Sequence, residues 1–176
     1  AVNIGLGYTV DFTNKNGLEL GKFFGNYDGS FYANPSGNVN RKKYLDNIFS
    51  ASGSWSTRVS QILSSPLQVA IKSHVNYYAS TKGGYLHTEV EILDQSLTNS
   101  MGVVVYLIED SLIAPQNVNS TRIDDYIHRD IMRSCLDGQN FGRTLTNELK
   151  KDGKYYLDYS FKIPNQLAPQ GLEGSH

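Results

Sequence analysis

Residues 67–93 read LQVAIKSHVNYYASTKGGYLHTEVEIL. Apolar side chains alternate with polar ones in the first and the last third of this stretch. Because successive side chains of a strand point to opposite faces, a period of two is typical of strands that are buried on one side. The stretch therefore predicts a β-hairpin with strands over 67–78 and 85–93.

Matching the apolar faces of the two strands predicts their register. Ile71 is expected opposite Ile92 with both side chains toward the core, and Lys72 opposite Glu91 on the outer side. A slip by one residue would turn the apolar side chains toward water, so their burial determines which face of each strand points to the core. The exposed charge pairs contribute much less to this choice.

Other segments extend this pattern. Residues 155–163 alternate again after Asp152-Gly153, a turn dipeptide that favours hairpins, and the apolar run 103–108 predicts a strand covered on both faces. Residues 124–136 fit a helix or a strand by spacing, and the surrounding pattern favours extended chain. Residues 67–165 together predict an antiparallel β-sandwich.

The chain before Pro66 has mixed periodicity. Ser54 is expected to cap a helix that ends at Pro66. The predicted elements are a strand at 2–6, a helix at 17–25, a hairpin within 37–49 and a helix at 55–64. The fold class is therefore α+β, with a mixed α/β domain over 1–66 and a β-sandwich domain over 67–168. Residues 171–176 are interpreted as an expression remnant.

Composition limits the classes of partner. The formal net charge is −1 and no long basic block occurs, which argues against nucleic-acid binding. No apolar run of about 18 residues is present, so no transmembrane segment is predicted. No signal peptide begins the chain, and an export signal would have to precede Ala1. The expected partner is a protein or a glycan of unknown identity.

No catalytic, cofactor or metal motif is found. The histidines lack HxxxH and HExxH spacing, and His74 and His87 are expected on exposed strand faces. Neighbouring acids such as Glu109 and Asp110 point to opposite faces of a strand, so they cannot act as a catalytic pair. Cys135 is the only thiol, and we expect it to be buried and inert. The sequence thus predicts a protein that is not an enzyme and has no cofactor.

Six motifs, in this order, resemble the family of outer-membrane proteins of twenty-eight kilodaltons known from Bacteroidetes. They are Asp11-Phe12-Thr13, Phe23-Phe24-Gly25, Pro35-Ser36-Gly37-Asn38-Val39-Asn40-Arg41, Val105-Tyr106-Leu107-Ile108-Glu109-Asp110, Ala114-Pro115-Gln116 and Tyr126-Ile127-His128-Arg129-Asp130-Ile131-Met132-Arg133. The resemblance covers about residues 2–165.

The resemblance implies an outer-membrane lipoprotein with a thioredoxin-like domain followed by a β-sandwich. Residues 1–66 would be the later part of the thioredoxin-like domain, and Pro35 its cis-proline. The first strand and the cysteine-bearing helix of that domain would precede Ala1, so no redox residue can be transferred. An incomplete sheet leaves an open edge, which predicts that this region docks on the sandwich and also makes a homo-oligomeric contact that protects residues 2–6.

The functional hypothesis is a non-enzymatic cell-envelope module for binding, adhesion or structure. A fragment of a thiol oxidoreductase is the alternative, and a glycan-cleaving enzyme is a third possibility that would need two facing carboxylates. Eight residues are candidate binding or structural markers: Pro35, Arg41, Tyr78, Tyr85, Glu109, Asp110, His128 and Arg133.

Overall fold

The structure is a computed structural model that describes Phe12 and residues 14–25, 36–44, 48–97, 101–138 and 140–163. The chain divides into two compact units. One consists of Ala1–Gly17 together with Val69–His176, and the other consists of Leu18–Gln68. Within the described ranges, no helix has both the length and the apolar character needed to cross a membrane.

Helix α1 spans Lys15–Gly25, which confirms the helix predicted at 17–25. Its first turn is capped by Asn14, whose Oδ1 accepts a hydrogen bond of 2.7 Å from the backbone N–H of Gly17. An asparagine at this position satisfies a donor that the helix itself leaves unpaired.

Helix α2 spans Trp55–Leu63 and confirms the second predicted helix. The expected cap was wrong: Ser54 makes no side-chain cap hydrogen bond, because it already has helical backbone angles at the end of a 3₁₀ turn. Ahead of it, strands β1 (Ser36–Gly37) and β2 (Ser50–Ala51) form a short antiparallel pair. A Cβ on Gly37 would lie 2.8 Å from the Trp55 ring, which explains the glycine. The predicted strand 2–6 and Pro35 lie outside the described residues.

The described residues of the other unit form ten further strands, all in antiparallel pairs. They are β3 (Val69–Tyr78), β4 (Gly83–Ile92), β5 (Gly102–Val103), β6 (Tyr106–Glu109), β7 (Leu112–Val118), β8 (Thr121–His128), β9 (Ile131–Cys135), β10 (Arg143–Thr144), β11 (Leu149–Lys151) and β12 (Lys154–Lys162). A four-stranded sheet has the order β11-β12-β4-β3, and β5 pairs β10, β6 pairs β9 and β7 pairs β8. The chain is therefore mixed α and antiparallel β, which fits a sandwich loosely.

The main core lies on one side of the four-stranded sheet. We call this the core side and the opposite side the outward side. The buried core residues are Leu86, Val90, Ile92, Leu145, Tyr155, Leu157 and Tyr159, with Leu97, Met101, Val103, Val105 and Leu136 packed over them. This cover extends over β4 and β12, which explains their alternation of buried and less buried residues.

The predicted hairpin and its faces are confirmed, but the predicted register was wrong by two residues. Ile71 lies opposite Val90, not Ile92, because β4 already begins at Gly83. The adjacent Gly84 is covered by the ring of Phe161, which would lie 2.2 Å from any Cβ placed there. Strand propensity disfavours two glycines, so the sequence alone would leave them in the loop.

Three other expectations are settled by the strands and their pairing. The continuous strand predicted at 103–108 was wrong: the chain is divided between β5 and β6, because β5 pairs with β10 while β6 pairs with β9. The segment 124–136 is extended, in β8 and β9. The turn predicted at Asp152-Gly153 is confirmed, with both residues at positive φ between β11 and β12.

Candidate functional site

Strands β6 to β9 form a long two-stranded ribbon with a kink in the middle. Glu109 lies opposite Ile131 and Leu112 opposite His128, so the register is unchanged across the break. The kink consists of Asp110-Ser111 on one side and Arg129-Asp130 on the other. Ser111 has φ of 61° and Asp130 φ of 53°, a backbone conformation that interrupts regular pairing. Most of the later motifs of the predicted family therefore meet at one place.

Two ion pairs of very different exposure lie beside this kink. Arg133 Nε is 3.2 Å from Glu109 Oε2, and the Arg133 side chain is only 4% exposed. Arg129 Nη1 is 3.1 Å from Asp110 Oδ2, with both side chains more than half exposed. The first pair must compensate a buried charge, whereas the second is screened by water.

His128 is also internal. Its Nε2 lies 3.2 Å from the backbone oxygen of Ala114, and because a carbonyl can only accept, the ring N–H donates. Edge-on contacts with Phe12 and Tyr126, at centroid distances of 5.1 and 4.9 Å, complete its surroundings. Buried, hydrogen-bonded and flanked by two aromatic rings, His128 supports the ribbon.

Cys135 is buried at the end of β9, within the same ribbon. Its Sγ lies 3.3 Å from Asn140 Oδ1, and the Tyr106 hydroxyl donates to the backbone oxygen of Asn140 at 2.9 Å. Asn16 Nδ2 donates to the same Asn140 side-chain oxygen. The burial supports the expectation of an inert thiol.

The outward side of the four-stranded sheet carries a different cluster, which we call the tyrosine face. It consists of Tyr78, Tyr85, His87, Tyr156 and Asp158. His87 and Asp158 lie directly opposite each other on β4 and β12, with His87 Nδ1 2.6 Å from Asp158 Oδ1. The Tyr156 ring stacks on the His87 ring at 5.8 Å between centroids. Tyr78 and Tyr85 are 61% and 42% exposed, and the His87–Asp158 pair has Tyr85 and Tyr156 beside it.

Asp158 is the electrostatic centre of the tyrosine face. The hydrogen bond from His87, helped by one from Tyr85, lowers the pKa of the Asp158 carboxyl below its usual value. The Tyr85 hydroxyl donates to this carboxylate, which raises the pKa of Tyr85. At neutral pH Asp158 is therefore an anion with exposed oxygen lone pairs, and an anion that is oriented by its neighbours is a suitable hydrogen-bond acceptor for a ligand.

Arg143 connects the tyrosine face to the core beneath it. Its Nη2 donates to the backbone oxygen of Asp158 at 2.6 Å, and its guanidinium lies over the Tyr159 ring at 4.0 Å. Asp137 and Glu148 lie 3.5 and 3.6 Å from the guanidinium nitrogens. Burial raises the pKa of Tyr159. Arg143 thus fixes the β12 backbone at the position from which Asp158 projects.

The predicted markers fall in three places. Glu109, Asp110, His128 and Arg133 come together at or beside the kink, and Tyr78 and Tyr85 come together on the tyrosine face. Arg41 lies in a turn of the other compact unit, where its guanidinium is 5.6 Å from the Phe24 ring centroid. Pro35 lies outside the described residues, so its cis conformation stays a prediction.

Sequence reasoning did not select His87, Tyr156, Asp158 or Arg143 as markers. Strand alternation does place Asp158 on the polar side of β12, but its partner His87 is 71 residues away. Only the pairing of β12 with β4 brings the two together. Among the described residues, no group of three or more histidine, cysteine, aspartate or glutamate side chains is arranged to hold a metal ion.

A comparison with protein families gives one result for this chain. Residues 26–172 match the model of the family described as outer membrane protein Omp28. The chain belongs to the Omp28 family. Neither curated proteins nor solved structures give a match. Membership in Omp28 places the protein in the outer membrane of the cell envelope and confirms that part of the predicted resemblance. The matched range contains both the ribbon and the tyrosine face.

Proposed function

We propose that this Omp28 protein is a non-enzymatic binding module of the cell envelope, and that its ligand is a glycan bound on the tyrosine face. The observation that carries the proposal is the exposed His87–Asp158 pair with Tyr85 and Tyr156 beside it. Sugar rings present C–H groups that pack on aromatic rings, and hydroxyls that donate to carboxylates.

The character of the face favours a glycan over a protein. Protein interfaces are usually centred on a desolvated apolar patch, whereas Lys72, Glu89, Glu91 and Lys154 continue this side of the sheet with alternating charge. Asp158 and His87 are 52% and 39% exposed, so both can exchange water for ligand hydroxyls.

The finer features that the resemblance implies are proposed together with this function. They are a lipid anchor on the parent protein, a role in adhesion, a thioredoxin-like origin of residues 1–66 and a source in Bacteroidetes. The resemblance alone supports them. Lipid on the mature native protein, detected by mass spectrometry, would support the anchor, and a mature native protein that carries no lipid would refute it.

Binding to a glycan array, followed by titration with the best glycan, tests the proposed function. Tyr85→Ala should weaken binding by about tenfold, which corresponds to roughly 1.4 kcal/mol. Tyr85→Phe separates the ring from its hydroxyl. The matched control is Tyr126→Ala, because Tyr126 is 37% exposed but lies on β8. Equal affinity of the Tyr85→Ala and control variants, or no glycan binding at all, would refute the proposal.

A further inference from the structure

Strand β3 carries several apolar side chains that are exposed in the part of the chain that the structure describes. Ile71, Val75 and Tyr77 are on the core side of the sheet and are 63%, 53% and 48% exposed. Their neighbours on β4, Val90 and Leu86, are 1% and 7% exposed. The expectation that this row faces inward is thus only half met: the side is correct, but among the described residues of β3 only Val69 packs against the core that covers β4 and β12.

The backbone of β3 is open as well. In the described part of the chain, β3 pairs with β4 on one side and ends the sheet on the other. It is ten residues long, contains no proline or bulge, and its single formal charge is Lys72 on the outward side. Edge strands are normally protected by charges, prolines or bulges, and β3 has almost none of these features.

We propose that β3 pairs antiparallel with β3 of a second copy of this chain, so that two four-stranded sheets become one continuous sheet. A second copy is inferred as the partner of β3 because the pattern of apolar residues along β3 is symmetric. A two-fold axis at Ser73 places Ile71 opposite the partner's Val75 and Val69 opposite the partner's Tyr77. Each apolar side chain of the open row then meets another, as cross-strand pairs require.

Charge selects this register over its neighbour. A two-fold axis at Lys72 would place two ammonium groups directly opposite each other and would pair Ile71 with the partner's Ser73. Like charges directly opposite are destabilising. The proposed interface lies along β3, which also carries Tyr78 at its end, whereas His87 and Asp158 of the tyrosine face lie on β4 and β12. It is distinct from the contact predicted for residues 2–6, which lie outside the described residues. A strand pair with three exposed apolar side chains per copy is small, so we expect a Kd on the order of micromolar.

Sedimentation of the whole chain over a wide concentration range tests the association. We expect a reversible monomer–dimer equilibrium that Ile71→Glu shifts to monomer. Because Ile71 is already exposed, this variant should keep the thermal unfolding temperature of the parent chain. Wild-type protein that stays monomeric at high micromolar concentration would overturn the proposal. That result would mean that another segment of the chain or another protein covers the edge of β3.

Disulfide trapping tests the register. In a Cys135→Ser background, Ser73→Cys lies on the proposed axis opposite its own copy and should cross-link rapidly under mild oxidation. His74→Cys is the matched control: its copies would be offset by two residues, beyond the roughly 7 Å that a disulfide can span. Ser160→Cys on β12 reports random collision. A dimer in which Ser73→Cys cross-links no faster than these controls would also overturn the proposal.

Discussion

The kink of the ribbon and the tyrosine face are built from the same kinds of side chain but use them in opposite ways. At the kink, Arg133 is 4% exposed and forms an ion pair with Glu109. On the tyrosine face, Asp158 is 52% exposed and retains lone pairs that water can reach. The difference is burial. A buried polar group is already used within the fold, whereas an oriented and exposed one can bind a ligand.

This contrast changes the meaning of the motifs that reveal the family. Three of the later markers, Glu109, His128 and Arg133, point inward at the kink, so their pattern identifies an architecture. The exposed Asp158 belongs to none of those motifs. The motifs that resemble the family are therefore associated with the structure of the kink. The candidate binding residues lie on a surface that contains none of these motifs.

The largest expected effect is at the buried ion pair. Glu109→Leu should lower the free energy of unfolding by about 3 kcal/mol, because it leaves the Arg133 charge buried without its carboxylate. Asp110→Ala, one residue further on, removes the exposed pair with Arg129 and should cost less than about 1 kcal/mol. Urea denaturation of both variants measures the difference. Similar losses in the two variants would contradict the contrast between buried and exposed pairs.

Arg143 should have the next largest effect, because it connects the tyrosine face to the core beneath it. Arg143→Ala removes the hydrogen bond to the Asp158 backbone and the contact with Tyr159, and should cost about 2 kcal/mol. Arg143→Lys keeps the charge but not the planar fork, so it should recover only part of the loss. Denaturant titration of the two variants checks the order, and full recovery by lysine would show that charge alone matters.

A smaller effect on stability is expected at His87. His87→Ala removes an exposed partner of Asp158 and should change the free energy of unfolding by less than about 0.5 kcal/mol. The same variant should weaken binding on the tyrosine face, because the carboxylate loses its orientation. Thermal unfolding and glycan titration on one preparation separate the two effects. A large loss of stability would place His87 with the structural groups of the kink.

Strand faces could be predicted from the sequence because they depend on a local period of two. The register of β3 and β4 could not, since it depends on Phe161 filling the space over Gly84 from a strand far along the chain. The site was predicted in part for the same reason. Tyr78 and Tyr85 stand out locally as exposed aromatics, whereas the pairing of His87 with Asp158 arises only when β12 joins β4. The thioredoxin-like origin of residues 1–66 stays a prediction.

The smallest expected effect is on the free energy of unfolding at acidic pH. The folded-state pKa of Asp158 is lowered, first by the hydrogen bond from His87, so Asp158 contributes stability that is present above its unfolded pKa of about 3.9 and is lost as pH falls through the lower folded value. Because the pair is exposed, solvent screening keeps the contribution small. Carboxyl NMR titration should find the Asp158 pKa below its usual value in the wild type and close to it in His87→Ala. Tyr85→Phe should produce a smaller rise, since its hydrogen bond is the weaker of the two influences. An unchanged pKa in His87→Ala would mean that His87 does not orient the carboxylate, and Asp158 would then be an ordinary surface acid.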